Sequence, residues 1–293
     1  MTEKKGVLLK NEPLAKYTSW RVGGPAEKMY LPEGREDLIA FLTVLPEQEE
    51  IYWLGLGSNL LVRDGGIHGT VINTRGRLKV MQLVDTNKVY VEAGVPCAHA
   101  ARFCTELGLT GAEFLAGIPG TMGGALKMNA GAFGGETWNI VDTVEMINAN
   151  GRVTKRAAEE FEVAYRAVSG LGGEWFLAVE LKLSKGESEL SQQKIKSLLE
   201  RRALTQPTNK PTCGSVFKNP PGDYAARLIE ACGLKGYAIG GACVSKKHAN
   251  FIENTGNATA ADIEGLIAYI QQQVDQNHSV KLQTEVCRVG DSL

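Results

Sequence analysis

The apolar positions change their spacing several times along the chain, and each change marks an element. Within 33–45, Leu38, Ile39, Leu42 and Leu45 share one helical face, and Pro46 stops the run. Ile51-Tyr52-Trp53-Leu54 is unbroken and apolar, which predicts a buried strand entering the glycine turn Gly55-Leu56-Gly57-Ser58-Asn59. Lys79–Val84 and Lys88–Val91 flank Asp85-Thr86-Asn87 and predict a hairpin. Pro96 opens a helix with Ala100, Phe103, Cys104 and Leu107 facing inward, and Gly108 ends it. Strands are expected near 140–149 and 152–156, joined by Asn150-Gly151, and again over Glu174–Leu183. The polar stretch Ser184–Glu189 reads as a linker, followed by a basic amphipathic helix over about 190–203.

The last stretch has its own pattern. Asp223 is placed to cap a helix carrying Leu228, Ile229 and Cys232, closed by Gly233. Thr259 and Asp262 have capping-box spacing ahead of a stripe formed by Ile263, Leu266, Ile267, Ile270 and Val274. A final strand is expected over about 280–289, with Leu282, Thr284 and Val286 on one face and Gln283, Glu285 and Cys287 on the other. Strands and helices mix without steady alternation, which points to an α+β fold.

Composition narrows the function. Hydrophobic residues make up 43% and charged residues 22%, ordinary proportions for an enzyme with a proper core. The net charge of −1 lacks the basic excess that a nucleic acid or membrane surface requires, so neither is an expected partner. The run Met1-Thr2-Glu3-Lys4-Lys5 is polar, so no secretory signal is expected, and the expected location is the cytoplasm. Six cysteines occur without a CxxC pair, and no metal site is expected. Most read as small buried hydrophobes; Cys213, beside Gly214 and Ser215, is the one expected to be accessible.

The chemistry starts with Ala116-Gly117-Ile118-Pro119-Gly120-Thr121-Met122-Gly123-Gly124-Ala125. Four glycines in eight residues let backbone N–H groups close on a large anion such as a diphosphate. Neither glycine turn matches GxGxxG or GxxxxGK[ST], so a nucleotide cofactor is expected without a Rossmann or P-loop cradle. Three further places carry candidate groups. Tyr165-Arg166 follows a helical stretch, and its arginine reads either as a catalytic cation or as a surface ion-pair partner. Ser215, in Cys213-Gly214-Ser215-Val216-Phe217-Lys218-Asn219, reads as a donor or as a turn-capping loop serine. Glu285 reads as an acid or as a solvated strand residue. No GxSxG surrounds Ser215, so serine-hydrolase chemistry is not signalled.

Taken together these motifs closely resemble the UDP-N-acetylenolpyruvoylglucosamine reductase family, over nearly the whole chain. The resemblance lies in Tyr17-Thr18-Ser19-Trp20-Arg21-Val22-Gly23-Gly24, Gly57-Ser58-Asn59-Leu60-Leu61-Val62, the loop from Ala116 to Gly134, and Gly214 to Pro220. It continues in Gly233-Leu234-Lys235-Gly236, Ser245-Lys246-Lys247-His248-Ala249-Asn250-Phe251 and the Glu285 segment. The resemblance implies an FAD-binding fold of the vanillyl-alcohol-oxidase/PCMH type in two lobes, with a C-terminal α+β substrate domain. The implied boundaries are 1–186 for the FAD region (lobes about 1–70 and 71–186), 187–203 for a connecting helix and 204–293 for the substrate domain.

It further implies that Gly57, Ser58, Asn59 and Leu60, with Gly117, Ile118, Gly120, Thr121, Gly123 and Gly124, hold the FAD diphosphate, and that Asn129, Ala130 and Gly131 lie near the flavin. The implied reaction is NADPH-dependent reduction of UDP-N-acetylglucosamine enolpyruvate to UDP-N-acetylmuramate, a peptidoglycan precursor, by a compact-type, monomeric enzyme. Ser215 matches the family's proton donor, Arg166 and Glu285 its charge-stabilising residues, and Tyr165, Lys218 and Asn219 fall where substrate contacts are expected. The family places a serine two residues after this arginine; here the serine is Ser169, one position further on.

Overall fold

The computed structural model describes residues 5–293, so Met1–Lys4 of the polar N-terminal run lie outside the described residues. The chain divides into two units. The first takes residues through Leu9, Lys28–Leu56 and Gly69–Arg201; the second takes Lys10–Glu27, Gly57–His68 and Arg202–Leu293.

In the first unit α1 (Arg35–Thr43) buries Leu38 and Leu42 against Ile72, Leu78, Ile147 and Leu177, with Ile39 and Leu45 packed at the edge. The strand Ile51–Leu54 pairs in parallel with Thr70–Asn73. A five-stranded antiparallel sheet follows the order Val153–Ala157, Val141–Ile147, Trp175–Lys182, Lys88–Glu92, Met81–Asp85. Both expected hairpins are present. Asp85 and Lys88 pair across the first turn, where the Asp85 carboxylate accepts from Thr86 N–H at 2.6 Å. In the second, Asn148 Oδ1 accepts from the N–H groups of Asn150 and Arg152, shaping a five-residue loop.

Two helices cover the sheet. α2 (Cys97–Glu106) buries Cys97, Ala100, Ala101 and Cys104, and α3 (Met122–Met128) buries Met122, Ala125 and Leu126. Leu107 departs from its expected inward place. It follows the last turn of α2 and is 38% exposed, because the chain turns away there toward Gly108. The expected linker is shorter than its composition suggested: Ser184 and Lys185 pair with Thr110 and Leu109, and α4 (Ser188–Thr205) begins three residues later.

α4 is anchored by a buried carboxylate. Glu113, 2% exposed, accepts hydrogen bonds from Thr110 Oγ1 (2.6 Å), Ser191 Oγ (2.7 Å) and Gly111 N–H (3.1 Å), and Lys194 Nζ lies at 3.2 Å. Burial would raise its pKa, but the hydroxyl and amide donors prevail and hold it at about 2.

In the second unit α5 (Ala225–Ala231) is short, and α6 (Ala260–His278) buries the expected stripe of Ile263, Leu266, Ile267, Ile270 and Val274 completely. The Thr259–Asp262 capping box forms, with reciprocal bonds of 3.0 and 2.9 Å. Asp64 adds a second cap from far along the chain, accepting from Ala260 N–H and Ala261 N–H at 2.9 Å each. Trp20 is fully buried; its indole donates to Ile252 O at 2.7 Å, and Asn254 Nδ2 donates to Trp20 O at 2.8 Å. Asp223 does not cap α5. Its carboxylate accepts from Tyr224 N–H and pairs with Arg227, while Asn219 Oδ1 accepts from Ala225 N–H at 3.1 Å. The final strand is shorter than expected. Cys287–Val289 pairs in parallel with Leu60–Val62, and Glu285 precedes it.

The buried carboxylate yields a pH prediction. Glu113 has its pKa lowered on folding, so its contribution, on the order of 3 kcal/mol, is present above about pH 4.5 and lost as pH falls toward 2. Thermal melts between about pH 5 and 3 should fall more steeply for the natural protein than for Glu113→Gln. Parallel slopes would refute the assignment.

Candidate functional site

The candidate residues fall into two constellations, one in each unit. In the second unit the segment Val216–Lys218 is bonded to the segment Gln283–Val286. Glu285 N–H donates to Val216 O at 2.8 Å, Val286 N–H to the same oxygen at 3.4 Å, and Lys218 N–H to Gln283 O at 2.9 Å. Ser215 immediately precedes this ladder, so two half-buried residues 70 positions apart in sequence, Ser215 and Glu285, are carried on adjoining backbone. Leu282 and Val286 are buried and Glu285 is not, as the alternation required.

The first glycine turn belongs to this constellation. Asn59 Nδ2 donates to Glu285 O at 3.0 Å, and Cys287 N–H donates to Asn59 O at 3.0 Å. Gly57 has a left-handed φ of +59°, and an added Cβ would stand 2.3 Å from Tyr17 O. Gly57 O accepts from Ser19 N–H. The carbonyls of Gly57 and Asn59 are thus engaged by protein, whereas the N–H groups of Gly57 and Ser58 are given to no other described residue.

Cys213 is corrected by the structure. It is 2% exposed, its thiol approaches Gly57 O and Leu60 O at 3.5 Å, and burial pushes its pKa up to about 12. A thiol so held is packing material, inert at neutral pH.

In the first unit Tyr165-Arg166 forms the turn between strands Glu162–Ala164 and Ala167–Ser169, not the end of a helix. Arg166 adopts a left-handed φ of +54° and lies 4.9 Å over the Tyr165 ring. Its guanidinium donates to Asn129 O at 3.3 Å and to Gly131 O at 3.1 Å. Asn129 caps α3 with φ +45°, is 1% exposed, and is locked by three side-chain bonds: Nδ2 to Glu136 Oε2 (2.9 Å), Nδ2 to Ala164 O (3.2 Å) and Oδ1 from Trp138 N–H (3.2 Å). At Gly131 a Cβ would meet Gly135 O at 2.6 Å and Arg166 Nη1 at 3.1 Å, so this glycine admits the arginine. Ser169 bonds Glu162 at 3.0 Å, and backbone carbonyls rather than a serine two positions on hold the arginine. Ala130 is buried.

The second glycine loop serves packing and donation in different places. A Cβ at Gly117 would reach the Phe133 ring at 2.5 Å, and one at Gly123 the Ala93 Cβ at 3.0 Å. The N–H groups of Ile118, Met122 and Gly123 go to Leu115, Val95 and Ala93 carbonyls. Those of Gly120, Thr121 and Gly124 are given to no other described residue, and a Cβ at Gly124 would meet nothing nearer than Thr121 Oγ1 at 3.9 Å. Each turn therefore keeps a small set of backbone donors, the feature a phosphate oxygen needs. Lys218 is half-buried and Asn219 exposed. Among the described residues no cluster of potential metal ligands occurs, and no helix is long and apolar enough to cross a membrane.

Sequence reasoning missed Asn129 as a support for Arg166, and Asn250, which bonds the Ser215 segment. The second was visible as part of Ser245–Phe251, a motif to which the sequence attached no role.

Comparison with known proteins identifies two regions of the chain. Residues 206–289 match the family model described as UDP-N-acetylenolpyruvoylglucosamine reductase, C-terminal domain, and residues 26–156 match the one described as FAD binding domain. The UDP-N-acetylenolpyruvoylglucosamine reductase of Methylococcus capsulatus (strain Bath) is 60% identical over 288 residues, covering 98% of this chain and 95% of the relative. That of Legionella pneumophila (strain Corby) is 60% identical over 293 residues, covering 100% and 95%. The crystal structure of the Thermus caldophilus reductase is similar with a TM-score of 0.81 at 33% identity, covering 97% of this chain and 98% of that one.

The glycine geometry separates two roles by experiment. Gly117→Ala should lower the melting temperature, because Phe133 and its turn must shift to admit the methyl group. Gly124→Ala should leave the melting temperature unchanged or slightly raised, as expected at an unobstructed helical glycine. The reverse order in thermal melts would reject this division of labour.

Proposed function

The chain belongs to the UDP-N-acetylenolpyruvoylglucosamine reductase family of FAD-dependent oxidoreductases, and on that premise we propose that it reduces UDP-N-acetylglucosamine enolpyruvate to UDP-N-acetylmuramate with NADPH. The observation that carries this reading is the backbone ladder joining the Ser215 segment to the Glu285 segment. It gives a hydroxyl donor and a carboxyl group a common rigid support, as a reaction that needs a proton and a stabilised anion requires.

The backbone donors fit a diphosphate in each unit: Gly57 and Ser58 N–H in one, Gly120, Thr121 and Gly124 N–H in the other. We assign both turns to FAD, with Leu60 and Asn59 behind the first, Gly117, Ile118 and Gly123 shaping the second, and Asn129, Ala130 and Gly131 flanking the flavin. FAD held by these turns would supply hydride chemistry for the enolpyruvyl ether, with NADPH as the source of the hydride. Arg166 offers a permanent two-pronged cation to the substrate carboxylate. Glu285, when protonated, donates a hydrogen bond to the developing enolate oxygen. Ser215 delivers the proton to C2. A serine hydroxyl is a weak acid, so it acts only once that carbon has become strongly basic. Each such preorganised donor contributes about 3–4 kcal/mol of transition-state stabilisation.

Tyr165, Lys218 and Asn219 are assigned to the substrate's diphosphate or uridine. Lys218 has its backbone fixed by Gln283 O, and Asn219 uses Oδ1 at Ala225 N–H, which leaves the Lys218 ammonium and the Asn219 amide NH2 for a ligand. The region 1–186 is assigned to FAD and 204–293 to substrate, in a cytoplasmic, monomeric protein.

With Ser215→Ala, NADPH should still bleach the flavin, while anaerobic reoxidation by the enolpyruvyl substrate should fall by about a hundredfold or more. Survival of both half-reactions would remove Ser215 from the proton-donor role. Gly120→Val should leave a folded but colourless protein, because a β-branched side chain takes the phosphate's space; a yellow variant would contradict the loop assignment.

A further inference from the structure

We infer that Asn250 is a positioning residue for the proton-donating serine, acting as a side-chain surrogate for a missing neighbouring strand. The inference rests on the proton-donor reading of Ser215. Asn250 is 3% exposed and makes three bonds to the two residues that follow the serine. Its backbone carbonyl accepts from Val216 N–H at 2.9 Å. Its Oδ1 accepts from Phe217 N–H at 2.9 Å, and its Nδ2 donates to Phe217 O at 2.8 Å. The side-chain amide thus pairs with both polar groups of one peptide residue, as a strand would. On the other side the same segment is paired to Gln283–Val286. Val216 and Phe217 are themselves buried, at 0% and 1% exposure, so an unpaired N–H or C=O here would be costly.

Asn250 is in turn built into a closed loop. Its N–H donates to His248 Nδ1 at 3.3 Å, and Ser245 Oγ accepts from Lys247 N–H at 3.2 Å. Ser245 N–H donates to Phe251 O at 2.8 Å, and Phe251 N–H to His248 O at 3.0 Å. Burial lowers the pKa of His248, which keeps the imidazole neutral and able to accept. The motif Ser245–Phe251 therefore presents one amide to the strand edge that carries Ser215. On the near side of Ser215, Gly214 is left-handed at φ +71° and Cys213 before it is buried. On the far side the bracing falls on Val216 and Phe217, held by Gln283–Val286 on one flank and by Asn250 on the other.

The experiment uses the flavin-loaded protein and both half-reactions, measured anaerobically. In Asn250→Ala, flavin reduction by NADPH should stay within about twofold of the natural protein, while reoxidation by the enolpyruvyl sugar nucleotide should slow about a hundredfold. In the double variant Ser215→Ala with Asn250→Ala, reoxidation should be within about threefold of Ser215→Ala alone, since both changes disable one donor. Multiplying effects, equal losses in both half-reactions, or unchanged reoxidation would overturn the inference. Asn250→Asp, which keeps the space and the acceptor toward Phe217 N–H but lacks the amide donor, should fall between the natural protein and Asn250→Ala. It decides the question if the alanine variant does not fold, and full activity in it overturns the inference. If Ser215→Ala itself leaves reoxidation intact, the proton-donor reading fails. If only the Asn250 variants do so, that reading stands and this inference fails.

Discussion

Val216 and Phe217 are buried peptides in a stretch of chain with no regular sheet around it, and their polar groups must be satisfied by whatever lies beside them. Gln283–Val286 supplies one side through Glu285 N–H and its neighbours, and Asn250 supplies the other. Because the requirement is met on both sides, the serine ahead of this stretch and the glutamate across from it are carried on backbone that has little freedom left. A catalytic group needs that kind of support, because a small displacement of a donor costs much of its effect.

The arginine constellation in the other unit obeys the same rule by different means. Carbonyls of Asn129 and Gly131 hold the Arg166 guanidinium, and Asn129 is itself locked by Glu136, Ala164 and Trp138. Carbonyl oxygens that accept from a guanidinium fix the plane of its fork. The displaced serine after the arginine matters less than its position suggested, because the carbonyl support comes from elsewhere in the chain.

The glycine loops combine two demands in the same few residues. Their density suggested one purpose, room for a diphosphate. The geometry divides it: Gly117 and Gly123 are small because Phe133 and Ala93 press on them, and Gly131 because Arg166 does, while the N–H groups of Gly120, Thr121 and Gly124 are given to no other described residue. A loop that must pack tightly on one side and donate on the other uses glycine for both reasons, and the residue type alone does not tell which is which.

What the sequence by itself determined was local or periodic. The α6 stripe and its capping box, the α1 face, both hairpin turns and the α+β character follow from rules that span a few residues, so they were legible without coordinates. Ser215, Arg166 and Glu285 stood out as candidates by residue type within recognisable motifs. Their supports did not. Asn250 beside Phe217, Asn59 under Glu285, Asp64 on the start of α6 and Gly131 beneath Arg166 join segments far apart in the chain. Such pairings follow no period, because they arise when two irregular stretches must satisfy each other's buried polar groups. Only the folded arrangement decides which stretches those are, and the same arrangement buried Cys213, exposed Leu107 and left Glu285 outside its expected strand.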